Sequence, residues 1–312
     1  MIQEARDHGG GVDAAAARYG GTRADWLDLS TGINPVPYPV GTFDMDVWTA
    51  LPDKGAQQAL IAAACDFWQV PEGATVLAAP GASALIARIP ALAPKGRVDI
   101  PRPTYNEHAA AFEAAGWQLS DTQAEARVIV HPNNPTGQFY DAEPTGPALH
   151  IIDESFCDIA PDRSLIKLAT QPGTVILKSF GKFWGLAGVR LGFAIGDPAL
   201  IARLEQMLGP WPVAGPALRI GQQALTDQKW AVETRARLTA DSTRLDQLMT
   251  GAGAKLHGGT PLFRLYEVED AAQWQTRFAE ARIWTRTFPY SRHFIRLGLP
   301  GPDQWHRLET LL

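Results

Sequence analysis

A largely parallel α/β sheet is the fold this sequence predicts, on three observations. Short, unbroken apolar runs of four to six residues recur from about Pro71 onward, the pattern of strands covered on both faces. Helical stretches alternate with these runs, as the crossovers of a parallel sheet require. Glycine-rich and polar clusters sit where the runs end, the edge at which open α/β sheets take their ligands.

Taken in order, the first 40 residues are rich in turn formers and finish in Asn34-Pro35-Val36-Pro37-Tyr38-Pro39, which reads as an extended strap. Strands are expected at Thr75–Ala78, Arg97–Ile100, Arg127–His131, His150–Asp153, Thr174–Ser179 and Leu191–Ile195. Helices fit Ala82–Ile89, Tyr105–Ala115 and Pro198–Met207. The link Gln138–Leu149 is short for a parallel crossover and holds Pro144, Gly146 and Pro147, so its helix is expected to be short or missing. Beyond Trp211-Pro212 a long helix is expected over Ala217–Leu248. A helix at Ala271–Arg282 between strands near Leu262–Val268 and Phe294–Leu297 then suits a small α+β domain. The division expected is a strap at 1–40, a large α/β domain at 41–215 and a small domain at 216–312.

Composition narrows the function. With 312 residues, 46% hydrophobic and 20% charged, the chain is neither disordered nor a disulfide-stapled miniprotein. A net charge of −5 with mixed signs argues against nucleic acid as the main partner. Cys65 and Cys157 lie far apart without metal-ligand spacing, so no metal and a reducing, cytoplasmic setting are expected. Met1 to Asp7 lacks the apolar core of a signal peptide, and the richest apolar stretch, Leu77–Ala93, is broken by Pro80, Gly81, Arg88 and Pro90, so no membrane partner is expected.

Common motifs fail first. Gly181-Lys182 lacks the glycine five residues earlier that a P-loop needs, since Ile176 stands there. Ser179-Phe180-Gly181-Lys182 satisfies SxxK, but neither companion signature of the serine acylases is present. Four clusters remain at the strand ends: Gly81-Ala82-Ser83, Asn133-Asn134-Pro135-Thr136-Gly137, Asp153-Glu154-Ser155-Phe156, and Ser179 through Arg190. Glycine before a helix start offers backbone N–H groups to a phosphate. A carboxylate leaving a buried strand needs a donor partner, and a lysine can serve as a nucleophilic amine. Phosphate seat, buried aspartate, asparagine and lysine together match the needs of pyridoxal phosphate. Taken singly, each has a plainer use: Asp153 as a helix cap, Asn134 in a turn, Tyr105 and His108 as packed residues, and Arg286 and Arg296 as surface ion-pair partners.

His131-Pro132-Asn133-Asn134-Pro135-Thr136-Gly137, Asp153-Glu154-Ser155-Phe156 and Ser179-Phe180-Gly181-Lys182 with Arg190-Leu191-Gly192-Phe193 resemble the fold type I, class I/II aminotransferase superfamily, over nearly the whole chain. Within it, His8-Gly9-Gly10, Leu27 through Pro35, and Pro210-Trp211-Pro212-Val213 are most similar to the threonine-phosphate decarboxylases of cobalamin biosynthesis. The resemblance implies a large pyridoxal-phosphate-binding α/β domain, and a small domain built from the C-terminal part and the strap. Lys182 then corresponds to the lysine that binds the cofactor covalently, and Asp153 to the partner of its ring nitrogen. Tyr105 stacks on the ring, with His108 behind Asp153, and Asn134 donates to the phenolic oxygen. Gly81, Ala82, Ser83, Ser179 and Arg190 hold the phosphate. Arg296 matches the arginine for the substrate's anion, while His8, Asn34 and Arg286 match positions that close on a small phosphorylated amino acid; Lys178 and Arg292 are the reserve candidates for that phosphate. Phe183-Trp184, beside the lysine, are expected to line its pocket.

Two departures shape the reading. Phe156 stands where aminotransferases usually have tyrosine, as in the decarboxylases, and Leu51 replaces a tyrosine that reaches across a dimer to the phosphate. The function implied is decarboxylation of threonine phosphate by a homodimer. The alternatives are an aminotransferase of the histidinol-phosphate type and a non-catalytic, cofactor-binding remnant with a scaffolding role.

Overall fold

The computed structural model describes residues 8–141 and 148–312, grouped in two compact units. One contains residues 37–134 and 138–233; the other contains the chain up to Val36, Pro135–Gly137 and Thr234–Leu312. Strands numbered along the chain are β1 (Leu27–Asp28), β2 (Thr75–Ala79), β3 (Arg97–Asp99), β4 (Gln118–Leu119), β5 (Ala126–Val130), β6 (Leu149–Asp153), β7 (Thr174–Ser179) and β8 (Gly192–Gly196). They continue as β9 (Lys255–Thr260), β10 (Phe263–Glu267), β11 (Ile283–Trp284), β12 (Arg286–Phe288) and β13 (Ser291–Gly298).

The larger unit is built on a sheet in the order β2-β8-β7-β6-β5-β3-β4. Its neighbours run parallel except at β8, which is antiparallel to both β2 and β7. Ile151, Ile152, Val175, Ile176 and Leu177 are fully buried, which accounts for the unbroken apolar runs. On one face Val98, Val128, Ile151 and Leu177 pack with Leu85, Phe112, Ile201 and Leu204 from the covering helices. Because Val130 pairs with Asp153 and Asp153 with Leu177, the ends of β5, β6 and β7 reach the same edge. β8 starts at that edge, with Gly192 paired to both Ala79 and Ser179.

A helix at Lys54–Trp68, absent from the expected set, packs here too; the Asp53 carboxylate caps it by accepting from the Ala56 N–H. The long helix expected at Ala217–Leu248 is two helices, Gly215–Thr226 and Gln228–Gly251. Asp227 breaks it, leaving helical geometry and accepting the Trp230 N–H at 3.0 Å to begin the second. Gly215–Thr226 lies against Lys54–Trp68 so closely that a Cβ on Gly221 would come 2.8 Å from Leu60 Cδ1. That packing ties residues 216–233 to the large sheet, whereas the sequence assigns them to the small domain. The helix expected at Ala82–Ile89 ends at Ile86, and a 3-10 turn, Ile89–Leu92, follows where Pro90 removes a donor. Residues 142–147, which hold the crossover's prolines, lie outside the described residues.

In the second unit β12-β13-β10-β9 form an antiparallel sheet, and β1 pairs in parallel with β11. The N-terminal segment is therefore not a uniformly extended strap: it folds a helix at Val12–Tyr19 and supplies β1. Asp270 caps the helix Ala271–Glu280 through the Ala272 and Gln273 amides. Among the described residues no helix is long and apolar enough to cross a membrane.

Candidate active site

At the shared edge of the large sheet lies a pocket of about 630 Å³, open to solvent on one side. Ala82, Ser83, Tyr105, Asn134, Asp153, Phe156, Ser179, Lys182 and Arg190 line it, so residues from five chain segments meet there. Every residue assigned to the cofactor from sequence is a lining residue except Gly81. Gly81 has φ +83°, and a Cβ on it would come within 2.5 Å of Arg190 Nη2. It is the positive φ that calls for glycine, and a Cβ would also displace the guanidinium. On β8, Gly192 leaves room for the backbone of that turn, since a Cβ would sit 2.4 Å from the Ala82 nitrogen. Arg190 itself adopts φ +56°, with its Nη1 donating to the Ala187 carbonyl at 3.0 Å.

Asp153 is 2% exposed and fully engaged. Its Oδ2 lies 2.8 Å from His108 Nε2, and its Oδ1 accepts from the Ser155 N–H at 3.0 Å and the Ser155 hydroxyl at 2.5 Å. Burial alone would push this carboxyl up, but the hydrogen bond and charge of His108, with the two Ser155 donors, outweigh it and hold it below its usual range. Ser155 was not singled out from sequence; its signal was the turn chemistry of an aspartate two residues before a serine. Tyr105 stands edge-on to His108, ring centroids 6.1 Å apart. Lys182 Nζ lies 5.2 Å from the Phe156 ring centroid. The Ser179 hydroxyl accepts from the Gly181 N–H at 3.3 Å.

Two expectations need correction. Phe183 and Trp184 do not line this pocket; both are fully buried, and Trp184 Nε1 donates to Asp158 Oδ2 at 3.0 Å. Lys178 is no reserve phosphate ligand either, because it is 2% exposed and its Nζ is 2.5 Å from Glu154 Oε2. His131, Glu154 and Cys157 cluster within 4.8 Å, a spacing that suits a metal ion, yet their donors are committed elsewhere. His131 Nδ1 accepts the Tyr140 N–H at 3.0 Å, and Nε2 is 2.8 Å from the Arg163 carbonyl. Burial lowers the His131 imidazole and raises the Cys157 thiol, so both favour their neutral forms beside the Glu154–Lys178 ion pair.

The four residues assigned to the substrate all lie in the second unit. Arg296 is 5% exposed, donates through Nη2 to the Ser30 carbonyl at 2.6 Å and sits 5.2 Å from the Phe263 ring centroid. Arg286 is its direct partner across the β12–β13 ladder. His8 is exposed; beside it, a Cβ on Gly9 would fall 2.5 Å from the Ser30 oxygen and 3.5 Å from Arg296 Nη2. Asn34 is buried, its Oδ1 accepting from the Val36 N–H at 3.0 Å and from Arg237 Nη2 at 2.6 Å. Arg237 went unnoticed in the sequence because 203 residues separate it from Asn34.

The family model for aminotransferase class I and II matches residues 42–304. A threonine-phosphate decarboxylase from a Sinorhizobium species is 39% identical, over 95% of this chain and 93% of its own. One from Pseudomonas aeruginosa is 37% identical, covering 98% and 97%. Among solved structures, histidinol-phosphate aminotransferase from Sinorhizobium meliloti in complex with pyridoxal-5'-phosphate superposes with a TM-score of 0.82 at 17% identity, over 99% of this chain and 94% of that one. The match to the family model over most of its length places this chain in the class I and II aminotransferase family.

Proposed function

We propose that this chain decarboxylates L-threonine O-3-phosphate to (R)-1-amino-2-propanol O-2-phosphate and carbon dioxide, as a step of cobalamin synthesis, with pyridoxal phosphate as cofactor. The observation that carries this reading is the near full-length likeness to two threonine-phosphate decarboxylases at 39% and 37% identity. The lining residues fit the cofactor: a cradle that a Cβ at Gly81 would fill, a buried carboxylate and a lysine share one pocket. The Ala82 and Ser83 amides, the Ser179 hydroxyl and Arg190 would hold its phosphate, a seat of N–H donors closed by a guanidinium. Asp153 would keep a proton on the ring nitrogen, and His108 and Ser155 hold that carboxylate in register. Asn134 donates to the phenolic oxygen, a duty it carries without help from Phe156, which has no hydroxyl. Tyr105 would stack on the ring, and Lys182 Nζ would be the point of covalent attachment. When bound, pyridoxal phosphate supplies an electron sink for the bond broken at the substrate's α-carbon.

The residues that bind the substrate's anions would decide which of its bonds is presented for cleavage. Arg296 and Arg286 take the substrate's anions, for which guanidinium forks suit both carboxylate and phosphate. Gripping the phosphate there would let remote binding energy orient the substrate's carboxylate as the group to be lost. The direct test is incubation with threonine phosphate. Carbon dioxide and aminopropanol phosphate are expected with no 2-oxo acid present; dependence on a 2-oxo acid, with pyridoxamine phosphate accumulating, would favour the aminotransferase instead. Arg286→Ala should lower turnover as well as binding, by roughly ten- to a hundredfold for one charge-assisted contact, and raise pyridoxamine phosphate relative to carbon dioxide. Unchanged turnover and partition would place the phosphate elsewhere, with Arg292 the next residue to test.

We further assign the chain to a cytoplasmic homodimer. Support comes from free Cys65 and Cys157 and from the exposed apolar side chains Met45, Trp48, Leu51 and Trp211 on the larger unit. Light scattering at working concentration should give twice the chain mass; a fully active monomer would refute the assignment.

A further inference from the structure

Behind the pocket lies a second layer of charge. Asp153 and Ser179 line the pocket, while their neighbours Glu154 and Lys178 are buried away from it, 1% and 2% exposed. Glu154 is occupied by Lys178, by the Ser164 hydroxyl at 2.7 Å and by the Leu165 N–H at 2.6 Å. Asp158 has a different task. Its carboxylate is 4% exposed, lies 3.8 Å from Lys178 Nζ, and accepts two indole N–H groups, from Trp68 at 2.8 Å and from Trp184 at 3.0 Å.

An indole has one donor and no acceptor, so this bond fixes how the Trp184 ring is turned. Phe180 and Trp230 stack on that ring at 5.1 and 5.3 Å, each within 12° of parallel, which fixes its plane. The Trp184 carbonyl accepts the Tyr38 N–H at 2.9 Å, and the Lys182 carbonyl accepts the Gly185 N–H at 3.1 Å. Lys182 is thus carried on a tight turn whose far end is clamped in ring orientation, ring plane and backbone. We infer that Asp158, acting through the Trp184 indole, is the positioning residue that sets where Lys182 stands in the pocket. This rests on the cofactor reading above only for its kinetic readout; the clamp itself is a property of the chain.

Trp184→Phe removes the N–H and keeps a stacking ring, and Asp158→Asn keeps the shape but leaves one acceptor oxygen for two indole N–H groups. Two measurements are made on each variant and on the double variant. In protein stripped of pyridoxal phosphate, hydrogen exchange at the Gly185 and Leu186 amides should quicken about tenfold, while exchange at β6 stays as in wild type. On adding pyridoxal phosphate, borohydride-trapped label on Lys182 should accumulate about tenfold more slowly, as a small misplacement of a reacting group implies, and kcat should fall with KM unchanged. The double variant should be no worse than the worse single one, since both cut the same link. Exchange and labelling within about twofold of wild type in Trp184→Phe would overturn the inference. If Asp158→Asn does not fold, Trp184→Phe decides alone. If even wild type takes no label at Lys182, the cofactor reading fails, and faster or unchanged exchange still decides the clamp.

Discussion

Lys182→Ala is expected to abolish turnover of threonine phosphate, lowering kcat by roughly 10⁴–10⁶-fold, the scale on which enzymes lose a covalent catalytic group. Its ε-amine shares the pocket with Asp153, Ser179 and Arg190, and it is the lysine of the turn that follows β7. Borohydride reduction of wild-type protein incubated with pyridoxal phosphate, followed by peptide mapping, should find the pyridoxyl group on Lys182. Label on another lysine, or a Lys182→Ala variant that still turns over at an ordinary rate, would remove the assignment. The variant should still bind the cofactor's phosphate, because Ala82, Ser83, Ser179 and Arg190 are untouched.

Asp153→Asn has the second largest expected effect, a loss of roughly 10²–10³-fold in kcat with the cofactor retained, comparable to removing one preorganised electrostatic partner. It carries a pH signature as well. The folded state holds this carboxyl below its ordinary value of 3.8. Its contribution to stability is therefore complete above about pH 4 and disappears as the pH falls through the lower folded value. Asparagine has no such dependence. Denaturant midpoints of wild type and variant should differ most near neutral pH and converge in strong acid; a gap that widens on acidification, or near-normal turnover, would refute the role.

The large sheet and the grouping of Asp153, Ser179 and Lys182 in one pocket were legible in the sequence because they are local. The central strands are short apolar runs, whereas β4, only Gln118-Leu119, gave no such signal. Asp153, Ser179 and Lys182 lie within a few residues of strand ends and could be placed from their neighbours. What stayed hidden depends on partners far along the chain. The Arg237–Asn34 bond and the Trp184–Asp158 bond join residues whose types carry no signal of the pairing. Trp184 looked like a pocket aromatic because it is two residues from Lys182, but its indole N–H needed a buried acceptor and found one away from the pocket. The helix at Lys54–Trp68 was readable in principle from Asp53 and the spacing of Leu60, Ala63, Ala64 and Trp68, which its core face buries. The break at Asp227 turned on a single residue that ends one helix and caps the next.

Arg286 and Arg296 stand directly opposite each other on adjacent antiparallel strands, an arrangement in which like charges oppose folding. On the substrate assignment proposed above, an anionic ligand held at these arginines would offset that opposition, linking occupancy to folding. Ligand at a hundred times its Kd adds about 2.7 kcal/mol to the folded state. On that assignment the smaller unit should be hardest to digest by protease when phosphorylated substrate is abundant and easiest when it is scarce, which would tie the lifetime of the protein in the cell to the supply of what it consumes.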